Sequence, residues 1–384
     1  MNSEERHELR YQRRKAKRLE KSAQFTKAMN YDDVFSFDHL YHSYKMCCKG
    51  VGWKASTHKY KANDLLNLNI TYKALKNKTF RSKGFYEFDI VERGKPRHIQ
   101  SVHISERVVQ RCLCDYVLVP FLSRSFIYDN GACLKNKGID FALNRMNCHL
   151  QRYYRQYGNS GYALVFDFSK YFDNINHQKL IELLKTKVKD KEMYNLLVML
   201  INDFGGEKGL GLGSQISQIC ALTYPSKLDH YIKEKLKIKY YARYMDDGYL
   251  LHPDKQYLQE CLTKITEICN ELDIKLNTKK TQIVKIERGI NFLKTKFYLT
   301  DTGRVIRKPN RKGITKMRKK LKTFKTWVDN GKLTPEEVEM SYMSWQGHIK
   351  KYNSHKTIQS MDKLYKQLFK EDKKNDGTRS CFGT

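Results

Sequence analysis

The spacing of apolar residues along the chain predicts a mixed fold of helices and strands. Strands are indicated at 85–91, 97–101 and 162–168, as a hairpin at 239–252 and as a strand pair at 291–299. Helical spacing of apolar residues predicts helices at 105–122, 178–188, 214–236 and 255–272. Because most predicted strands come in adjacent pairs, the pattern favours an α+β fold in which antiparallel sheets pack on helices.

The two ends of the chain differ from this middle part. Residues 1–24 contain no glycine or proline and are rich in Arg and Lys, which predicts either a basic helix or a solvated tail. Residues 304–325 carry eleven Lys and Arg and no acid, and helical patterns lie near 311–328, 335–351 and 354–370. We expect a separate basic helical lobe there, followed by a polar, disordered tail from Glu371 onwards.

The overall charge indicates a polyanionic partner. The sequence has 73 Lys and Arg against 41 Asp and Glu, a formal net charge of +32. Such an excess repels itself in a compact chain unless a polyanion neutralises it, and nucleic acid is the first candidate. On this interpretation, the basic N-terminal segment is a helix that orders on RNA. A basic surface that serves only solubility is the alternative.

Cysteine and apolar patterns argue against several other classes of protein. The ten cysteines show no pair with zinc-site spacing, which favours free thiols in a reduced, cytoplasmic protein. The first thirty residues lack the apolar core of a secretory signal. No run approaches the roughly 18 apolar residues of a membrane span, so we expect no membrane association.

Two adjacent acids at the tip of the predicted hairpin carry the candidate chemistry. Asp246 and Asp247 follow Tyr244-Met245 and separate two strand-like runs. Adjacent buried carboxylates repel each other and favour a divalent cation beside them. Asp167 ends an apolar run and is expected on a strand next to this hairpin. Three such carboxylates fit two magnesium ions, which manganese can replace, for activating a primer 3′-hydroxyl and holding a triphosphate.

These residues resemble two motifs of reverse transcriptases. Tyr244-Met245-Asp246-Asp247 resembles motif C of that family, and residues 167–177 (DFSKYFDNINH) resemble motif A of its bacterial and group II intron members. The resemblance extends from about residue 85 to 350, with the motifs in the family's order. It implies a right-hand polymerase fold with fingers, a palm whose antiparallel sheet packs on helices, and an all-helical thumb.

The resemblance also implies a division of the chain and an activity. The expected parts are a basic N-terminal extension (1–30), fingers (31–160), a palm with part of the fingers inserted (161–300), a helical thumb (301–371) and a disordered tail (372–384). The implied activity is that of an RNA-directed DNA polymerase, a nucleotidyltransferase that uses deoxynucleoside triphosphates, a nucleic-acid primer and an RNA template. RNA as template follows from the resemblance and not from any single residue.

Further motif matches imply candidate residues around the three aspartates. The implied metal-binding residues are Asp167, Phe168, Asp246 and Asp247. The implied nucleotide-binding residues are Lys95, Arg97, Phe168, Phe172 and Gln218. Arg97 lies in the segment 94–97 (GKPR), where a planar guanidinium suits triphosphate oxygens, although an ordinary exposed arginine is the alternative. In the motif D match at 276–281 (LNTKKT), either Lys279 or Lys280 is expected to protonate the leaving pyrophosphate.

Two positions depart from the family's pattern. Residues 209–218 (GLGLGSQISQ) resemble motif B but have Gly211 where proline is common, so a looser turn is expected. Residues 291–294 (NFLK) resemble the primer-grip motif but have Lys294 where glycine is usual, which bears on the geometry of that hairpin.

Phe172 is the candidate residue for selecting the sugar of the nucleotide. It lies five residues after Asp167 and, by the resemblance, beneath the sugar of the incoming nucleotide. A bulky ring there clashes with a 2′-hydroxyl, which favours DNA over RNA as the product. A core phenylalanine without such a role is the alternative.

The Ser217-Gln218 ending of motif B bears on the lineage of the chain. It is similar to diversity-generating retroelement enzymes, phage-defence reverse transcriptases are a close rival, and retron enzymes are less favoured. A thumb and a tail account for the residues after 300, so no RNase H, integrase or endonuclease domain is expected. We therefore expect a cognate structured RNA or an accessory protein as a partner.

Two other functions stay open. A catalytically silent RNA-binding module with the same fold is disfavoured because all three acids are present. A template-independent or protein-primed DNA polymerase would use a tyrosine or serine hydroxyl in place of the primer end. The 26 tyrosines of the chain leave that possibility open.

Overall fold

The computed structural model describes residues 3–92 and 94–369, which form helices and antiparallel strands. The helices are α1 Ser3–Ala28, α2 Tyr31–Val34, α3 Phe37–Cys48, α4 Ala55–Lys61, α5 Asp64–Lys76, α6 Ile104–Leu113, α7 Val119–Leu122, α8 Ile139–Tyr157, α9 His177–Lys187, α10 Lys191–Asn202, α11 Gln215–Thr223, α12 Ser226–His230, α13 Lys255–Glu271, α14 Arg311–Asp329, α15 Pro335–Ile349 and α16 His355–Phe369. The strands are β1 Phe85–Glu92, β2 Lys95–Val102, β3 Tyr162–Asp167, β4 Tyr240–Tyr244, β5 Asp247–His252, β6 Gln282–Lys285, β7 Ile290–Phe292, β8 Thr295–Leu299 and β9 Val305–Pro309. The predicted α+β class is confirmed.

The N-terminal part is helical and carries a two-stranded hairpin. α3 and α5 pack with α6, because their apolar residues recur every three or four positions and face one another. β1 and β2 pair along their whole length, from Phe85↔Val102 to Glu92↔Lys95. Nearly all side chains of β1 are exposed, so this hairpin projects from the helices that support it.

The main sheet is antiparallel and has the strand order β4-β5-β3-β6. Its side chains alternate between two cores, as the two-residue period of a strand requires. Ala163 and Val165 of β3 belong to the core that α8 covers, whereas Leu164 and Phe166 belong to the larger core that includes α13. Because β3 is buried on both faces, its sequence is a continuous apolar run.

The C-terminal part combines a second sheet with a three-helix bundle. β7, β8 and β9 form a three-stranded antiparallel sheet, so β9 pairs with β8 across the predicted division at residue 300. The three helices α14, α15 and α16 follow and bury an apolar core of their own. Thr334 and Glu337 form a capping box that fixes the start of α15.

Most predicted elements are present. The basic segment 1–24 lies in α1 over its described residues, and the three C-terminal helices agree with their patterns to within a few residues. α2, α3, α4, α5, α8, α10, β6 and β9 were not predicted. The predicted disordered tail lies outside the described residues. No described helix has both the length and the apolar character needed to cross a membrane.

The predicted single helix at 214–236 is wrong. α11 ends at Thr223, Pro225 precedes α12, and a π-helical turn follows at Tyr231–Lys235. Proline has no N–H to donate and its ring disturbs the preceding turn, so the helix is interrupted at this point.

Candidate active site

Three aspartates meet where β3 ends and β5 begins. Asp167 is the last residue of β3 and pairs with Asp247, the first residue of β5. Asp246 lies in the two-residue turn between β4 and β5, which the pair Tyr244↔Asp247 closes. Asp167 is buried, and Asp246 and Asp247 are partly buried. The structure thus brings together the three carboxylates that the sequence grouped into one site.

The turn that carries Asp246 has a strained backbone. Met245 has φ of 54°, in the left-handed region that costs a residue other than glycine free energy. Arg243 stabilises this conformation, because its Nη1 donates a 2.7 Å hydrogen bond to the carbonyl oxygen of Met245. After the acids, Gly248 lies against the ring of Phe166, which a Cβ at this position would overlap.

A buried ion pair beneath the hairpin holds Arg243 in place. Its Nε and Nη2 donate to the two carboxylate oxygens of Asp229 over 2.8 and 2.6 Å. Tyr241 donates a further hydrogen bond to the same carboxylate. The exposed fractions of the Arg243 and Asp229 side chains are 0% and 1%. This ion pair was not predicted. The position of Arg243 within the apolar pattern of β4 could have indicated it, because a buried charge usually has a buried partner.

The segment after α13 holds Asp167 from the other side. Asn277 donates from Nδ2 to Asp167 Oδ1 over 3.1 Å and from its backbone N–H to the Asp167 carbonyl over 2.7 Å. Lys280 Nζ lies 2.6 Å from Asp167 Oδ2. Lys279 is exposed, and its backbone N–H donates to Asn277 Oδ1. Of the two lysines that the sequence left as alternatives, Lys280 is the one placed at the aspartates.

Burial and mutual repulsion disfavour the charged forms of the two hairpin aspartates. Burial raises the pKa of Asp247 to about 7, and the negative charges of Asp246 and Asp167 add to this shift. Burial also raises the pKa of Asp246, with a contribution from Asp167, while the charges of Lys280 and Arg97 oppose it. A site that resists its own negative charges favours a bound cation.

The donor chemistry of the site fits a hard divalent cation, because such ions prefer carboxylate oxygens. Within residues 3–92 and 94–369, no three His, Cys, Asp or Glu side chains already surround one point as a ready-made metal site. Oδ2 of Asp167 instead forms an ion pair with Lys280 Nζ. Asp167, Asp246 and Asp247 are thus the residues that would hold a metal, once Lys280 withdraws from Asp167.

Two phenylalanines follow Asp167 in different environments. The ring of Phe168 is buried against Phe166 and Tyr171, with ring centroids 5.6 and 5.1 Å apart. Its N–H donates to the Asp246 carbonyl over 3.1 Å, so only its main-chain oxygen is a possible metal ligand. Phe172 is partly exposed and packs edge-to-face against Tyr171, which leaves part of its ring accessible to a ligand.

The β1–β2 hairpin lies against the glycine-rich segment before α11. Ile99 forms a bridge with Leu212, and the N–H of Gln100 donates to the Leu212 carbonyl over 3.2 Å. Arg97 is exposed, and its Nε lies 3.3 Å from a carboxylate oxygen of Glu92. The Arg97 charge is close enough to Asp246 to oppose the rise that burial causes in the pKa of that carboxyl. The side chain of Lys95 lies outside the described residues.

The start of α11 is fixed by a cap and by tight packing. Ser214 Oγ accepts a hydrogen bond from the N–H of Ser217 and donates to Gln110 Oε1 over 2.9 Å. A Cβ at Gly211 would overlap the side chains of Gln100 and Phe204, so the turn that was expected to be looser is closely packed. Gln218 lies in α11 with its side chain exposed.

The turn between β7 and β8 accommodates Lys294. Leu293 and Lys294 have φ of 47° and 61°, and the pair Phe292↔Thr295 closes the two-residue turn. Two successive left-handed residues are typical of a type I′ hairpin turn, which explains why glycine is usual at such a position. The hairpin nevertheless forms with lysine there.

The fold and the site together define a right-hand polymerase, since an antiparallel sheet on helices presents three aspartates beneath a projecting hairpin. A family model described as "Reverse transcriptase (RNA-dependent DNA polymerase)" matches residues 80–297, more than half of the chain. The chain therefore belongs to the reverse transcriptase family.

Individual relatives are more distant. A COX1/OXI3 intron 2 protein of Saccharomyces cerevisiae is 30% identical over 121 residues, which cover 29% of this chain and 14% of that protein. Telomerase from Candida albicans, solved in complex with a fragment of telomeric RNA, aligns with 13% identity and a TM-score of 0.49 over 77% of this chain and 56% of its own. A truncated apo telomerase from Candida tropicalis aligns with 15% identity and a TM-score of 0.46, covering 59% and 55% of the two chains.

The raised pKa of Asp247 predicts how pH affects stability without metal. Because the folded protein holds this proton more tightly than the unfolded chain, the free energy of unfolding falls as pH rises from the ordinary pKa of 3.8 to about 7. In chelator, the wild type should lose stability across this range relative to Asp247→Asn, which cannot ionise. Added Mg²⁺ should stabilise the wild type more at higher pH, because the bound form is deprotonated. Melting curves of both proteins check this, and parallel pH profiles would contradict it.

Proposed function

We propose that this chain is an RNA-directed DNA polymerase that extends a nucleic-acid primer with deoxynucleoside triphosphates. The observation that carries the proposal is the meeting of Asp167, Asp246 and Asp247 at one edge of the main sheet in a reverse transcriptase family member. Reverse transcriptase domains use divalent metal ions. We assign two magnesium ions, replaceable by manganese, to these carboxylates and the main-chain oxygen of Phe168.

The surrounding residues bind and position the substrates. Metal ions bound by these residues would supply Lewis-acid chemistry for activating the primer hydroxyl and neutralising the triphosphate. Arg97 pairs with the triphosphate oxygens through its planar guanidinium, and Lys95 adds a positive charge. Gln218 contacts the nascent base pair from the exposed side of α11. Lys280, released from Asp167, protonates the leaving pyrophosphate.

The C-terminal helices supply a surface for the nucleic-acid backbone. A recess of about 560 Å³ between α14 and α16 is lined by Arg318, Lys319, Lys322 and Lys363 together with polar side chains. Cations grouped in this way bind phosphates without regard to base sequence. They support the assignment of this bundle as the thumb, which would grip an A-form RNA–DNA hybrid by its backbone.

Primer extension tests this function directly. RNA and DNA templates of one sequence, annealed to the same DNA primer, are each offered deoxynucleotides or ribonucleotides with Mg²⁺. We expect extension on RNA with deoxynucleotides. Labelled product that needs no template, or that stays attached to protein until protease treatment, would favour the template-independent or protein-primed alternative. RNA binding without incorporation under any condition would favour the silent binding module.

The two adjacent lysines give a matched test of the proton donor. Lys280→Met should lower the rate of incorporation by about 100-fold, because general-acid catalysis typically contributes at least that much. Lys279→Met removes the same charge one residue away and should stay close to wild type. Single-turnover rates across a pH series check this, and the pH dependence assigned to the acid should disappear in Lys280→Met alone. Equal losses in both variants would contradict the assignment.

Phe172 should control sugar selection. Phe172→Val removes part of the ring and should raise ribonucleotide incorporation relative to deoxynucleotides by about 10- to 100-fold, the scale of a steric pocket contact. Competition between dATP and ATP on one template measures this ratio. Phe168→Leu changes a buried ring of the same segment and should leave the ratio unchanged. An unchanged ratio in Phe172→Val would make Phe172 a core residue only.

We place the enzyme in a diversity-generating retroelement or in a phage-defence system, with a cognate structured RNA or accessory protein, in the cytoplasm. The Ser217-Gln218 ending of motif B supports this placement. Sequencing of the DNA product separates the two settings. Errors concentrated at template adenines favour diversity generation, and faithful copying favours defence.

A further inference from the structure

Several positive charges of α1 lie on one side of the helix. Arg6, Arg10, Arg13 and Lys17 recur at spacings of four, three and four residues, which places them on one face of an α-helix with about 3.6 residues per turn. Arg14 lies at the edge of this face. We call these five residues the basic face. The opposite side of the helix holds mainly acidic, amide and aliphatic residues, namely Glu5, Glu8, Gln12 and Leu19, together with one cation, Lys15.

The side chains of the basic face are exposed. The side chains of residues 4–17, 19 and 20 are all exposed, and the first buried side chains among those that the structure describes are Met29 and Tyr31. From Arg6 to Lys17 the helix rises about 16 Å at about 1.5 Å per residue. Cations held this close repel one another, so a polyanion along the face would stabilise the helix.

The composition of α1 narrows the kind of polyanion. A helix that lies on a membrane surface needs a continuous apolar face, whereas Leu9 and Leu19 are separated and lie among polar residues. Binding of single strands relies on aromatic side chains that stack on bases, and Tyr11 lies off the basic face. Cations without interleaved aromatic residues suit the phosphates of a duplex, whose shape is recognised through its backbone.

We propose that the basic face of α1 is a second nucleic-acid site, which binds the phosphate backbone of a double-stranded RNA segment outside the primer–template cleft. We propose an RNA duplex and not a DNA duplex because the chain belongs to a family of RNA-dependent DNA polymerases. The site would hold a structured RNA while the cleft copies a single-stranded part of the same molecule or of another. This inference goes beyond the proposed polymerase function and does not depend on catalysis.

A composition-matched variant tests the basic face. Arg10→Gln and Arg13→Ala, combined with Gln12→Arg and Ala16→Arg, move two cations to the opposite side without changing net charge or helix composition. The probe is a fluorescent RNA stem-loop of about 20 base pairs, longer than the roughly 16 that a double-stranded RNA-binding domain spans. Full-length protein is first saturated with unlabelled primer–template so that the cleft is filled. Anisotropy titrations at several salt concentrations then measure stem-loop binding.

We expect the rearranged variant to bind the stem-loop at least about tenfold more weakly than the wild type. The slope of log binding constant against log salt concentration should become shallower by about one to two, as for two lost phosphate contacts. Circular dichroism should show unchanged helix content, and primer extension on a short unstructured template should match the wild type. Equal binding by both proteins would overturn the proposal, because net charge alone would then explain the affinity. Equal or tighter binding of a DNA duplex of the same sequence, or of vesicles with phosphatidylserine, would overturn it as well.

The readouts keep this proposal separate from the polymerase proposal. A protein that binds the stem-loop through α1 but never extends a primer would leave the basic face intact and remove the polymerase function. If primers are extended but the wild type and the rearranged variant bind the stem-loop equally well, the polymerase function stands and the proposal for the basic face fails.

Discussion

Asp167→Asn should reduce nucleotide incorporation on the order of 10³-fold or more, the scale of removing one preorganised electrostatic group from an active site. The substitution replaces one carboxylate oxygen by an NH₂ group, which cannot ligate a cation and repels the Lys280 ammonium. The fold should persist, because the backbone hydrogen bond from Asn277 to the residue 167 carbonyl is kept. Single-turnover extension measures the loss, and equilibrium binding of primer–template, expected to be unchanged, shows that the variant is folded.

Asp173→Asn is the matched control for this prediction. Asp173 lies six residues further along the same segment, and its side chain is exposed. The control removes one negative charge near the site without touching the three aspartates, so it should extend primers at close to the wild-type rate. An Asp167→Asn protein that is as active as Asp173→Asn would remove Asp167 from the mechanism.

Arg243→Met should destabilise the protein by about 3–5 kcal/mol, the typical effect of breaking a buried ion pair from one side. Among the residues that the structure describes, the change leaves the buried Asp229 carboxylate with the Tyr241 hydroxyl as its remaining side-chain donor, and it removes the hydrogen bond to the Met245 carbonyl. Both the free energy of unfolding and the activity should fall. Denaturant unfolding and primer extension below the melting temperature measure the two effects.

Two further variants separate stability from positioning. Arg243→Met combined with Asp229→Leu removes both buried charges and should recover much of the lost stability. Its activity should stay low, because the strained Met245 backbone still lacks its donor. Arg155→Met, an exposed arginine of α8, should change neither quantity. Recovery of full activity in the double variant would show that Arg243 serves stability alone.

Three of the four strands of the main sheet, β3, β4 and β5, could be predicted because their residues carry strong local patterns. β3 is a buried apolar run that ends in Asp167, and two acids, Asp246 and Asp247, separate the β-prone runs of β4 and β5. The end of β3 and the turn of the β4–β5 hairpin are therefore expected to lie side by side in one sheet. The sequence therefore predicted that Asp167 lies on a strand beside the hairpin, whereas the register Asp167↔Asp247 comes from the structure.

Other features depend on contacts that local patterns do not contain. The choice of Lys280 over Lys279 follows from the path of the chain after Asn277, which turns one of two adjacent side chains toward Asp167. Asp229, the partner of Arg243, lies on α12. The apolar spacing predicted one continuous helix there and did not indicate the interruption at Pro225. β9 was not predicted because its basic residues are similar in composition to the helical segment that follows. In the structure it pairs with β8.

The most direct test of the central claim is primer extension on an RNA template with deoxynucleotides, comparing wild type and Asp246→Asn with Mg²⁺ and with chelator. Asp246 is chosen because it lies in the turn between the paired residues Tyr244 and Asp247, and its carbonyl keeps the hydrogen bond from the Phe168 N–H in Asp246→Asn. We predict extension by the wild type with Mg²⁺ and none with chelator, and primer–template binding without extension by Asp246→Asn. Equal extension by Asp246→Asn and wild type, or extension by the wild type in chelator, would contradict the account.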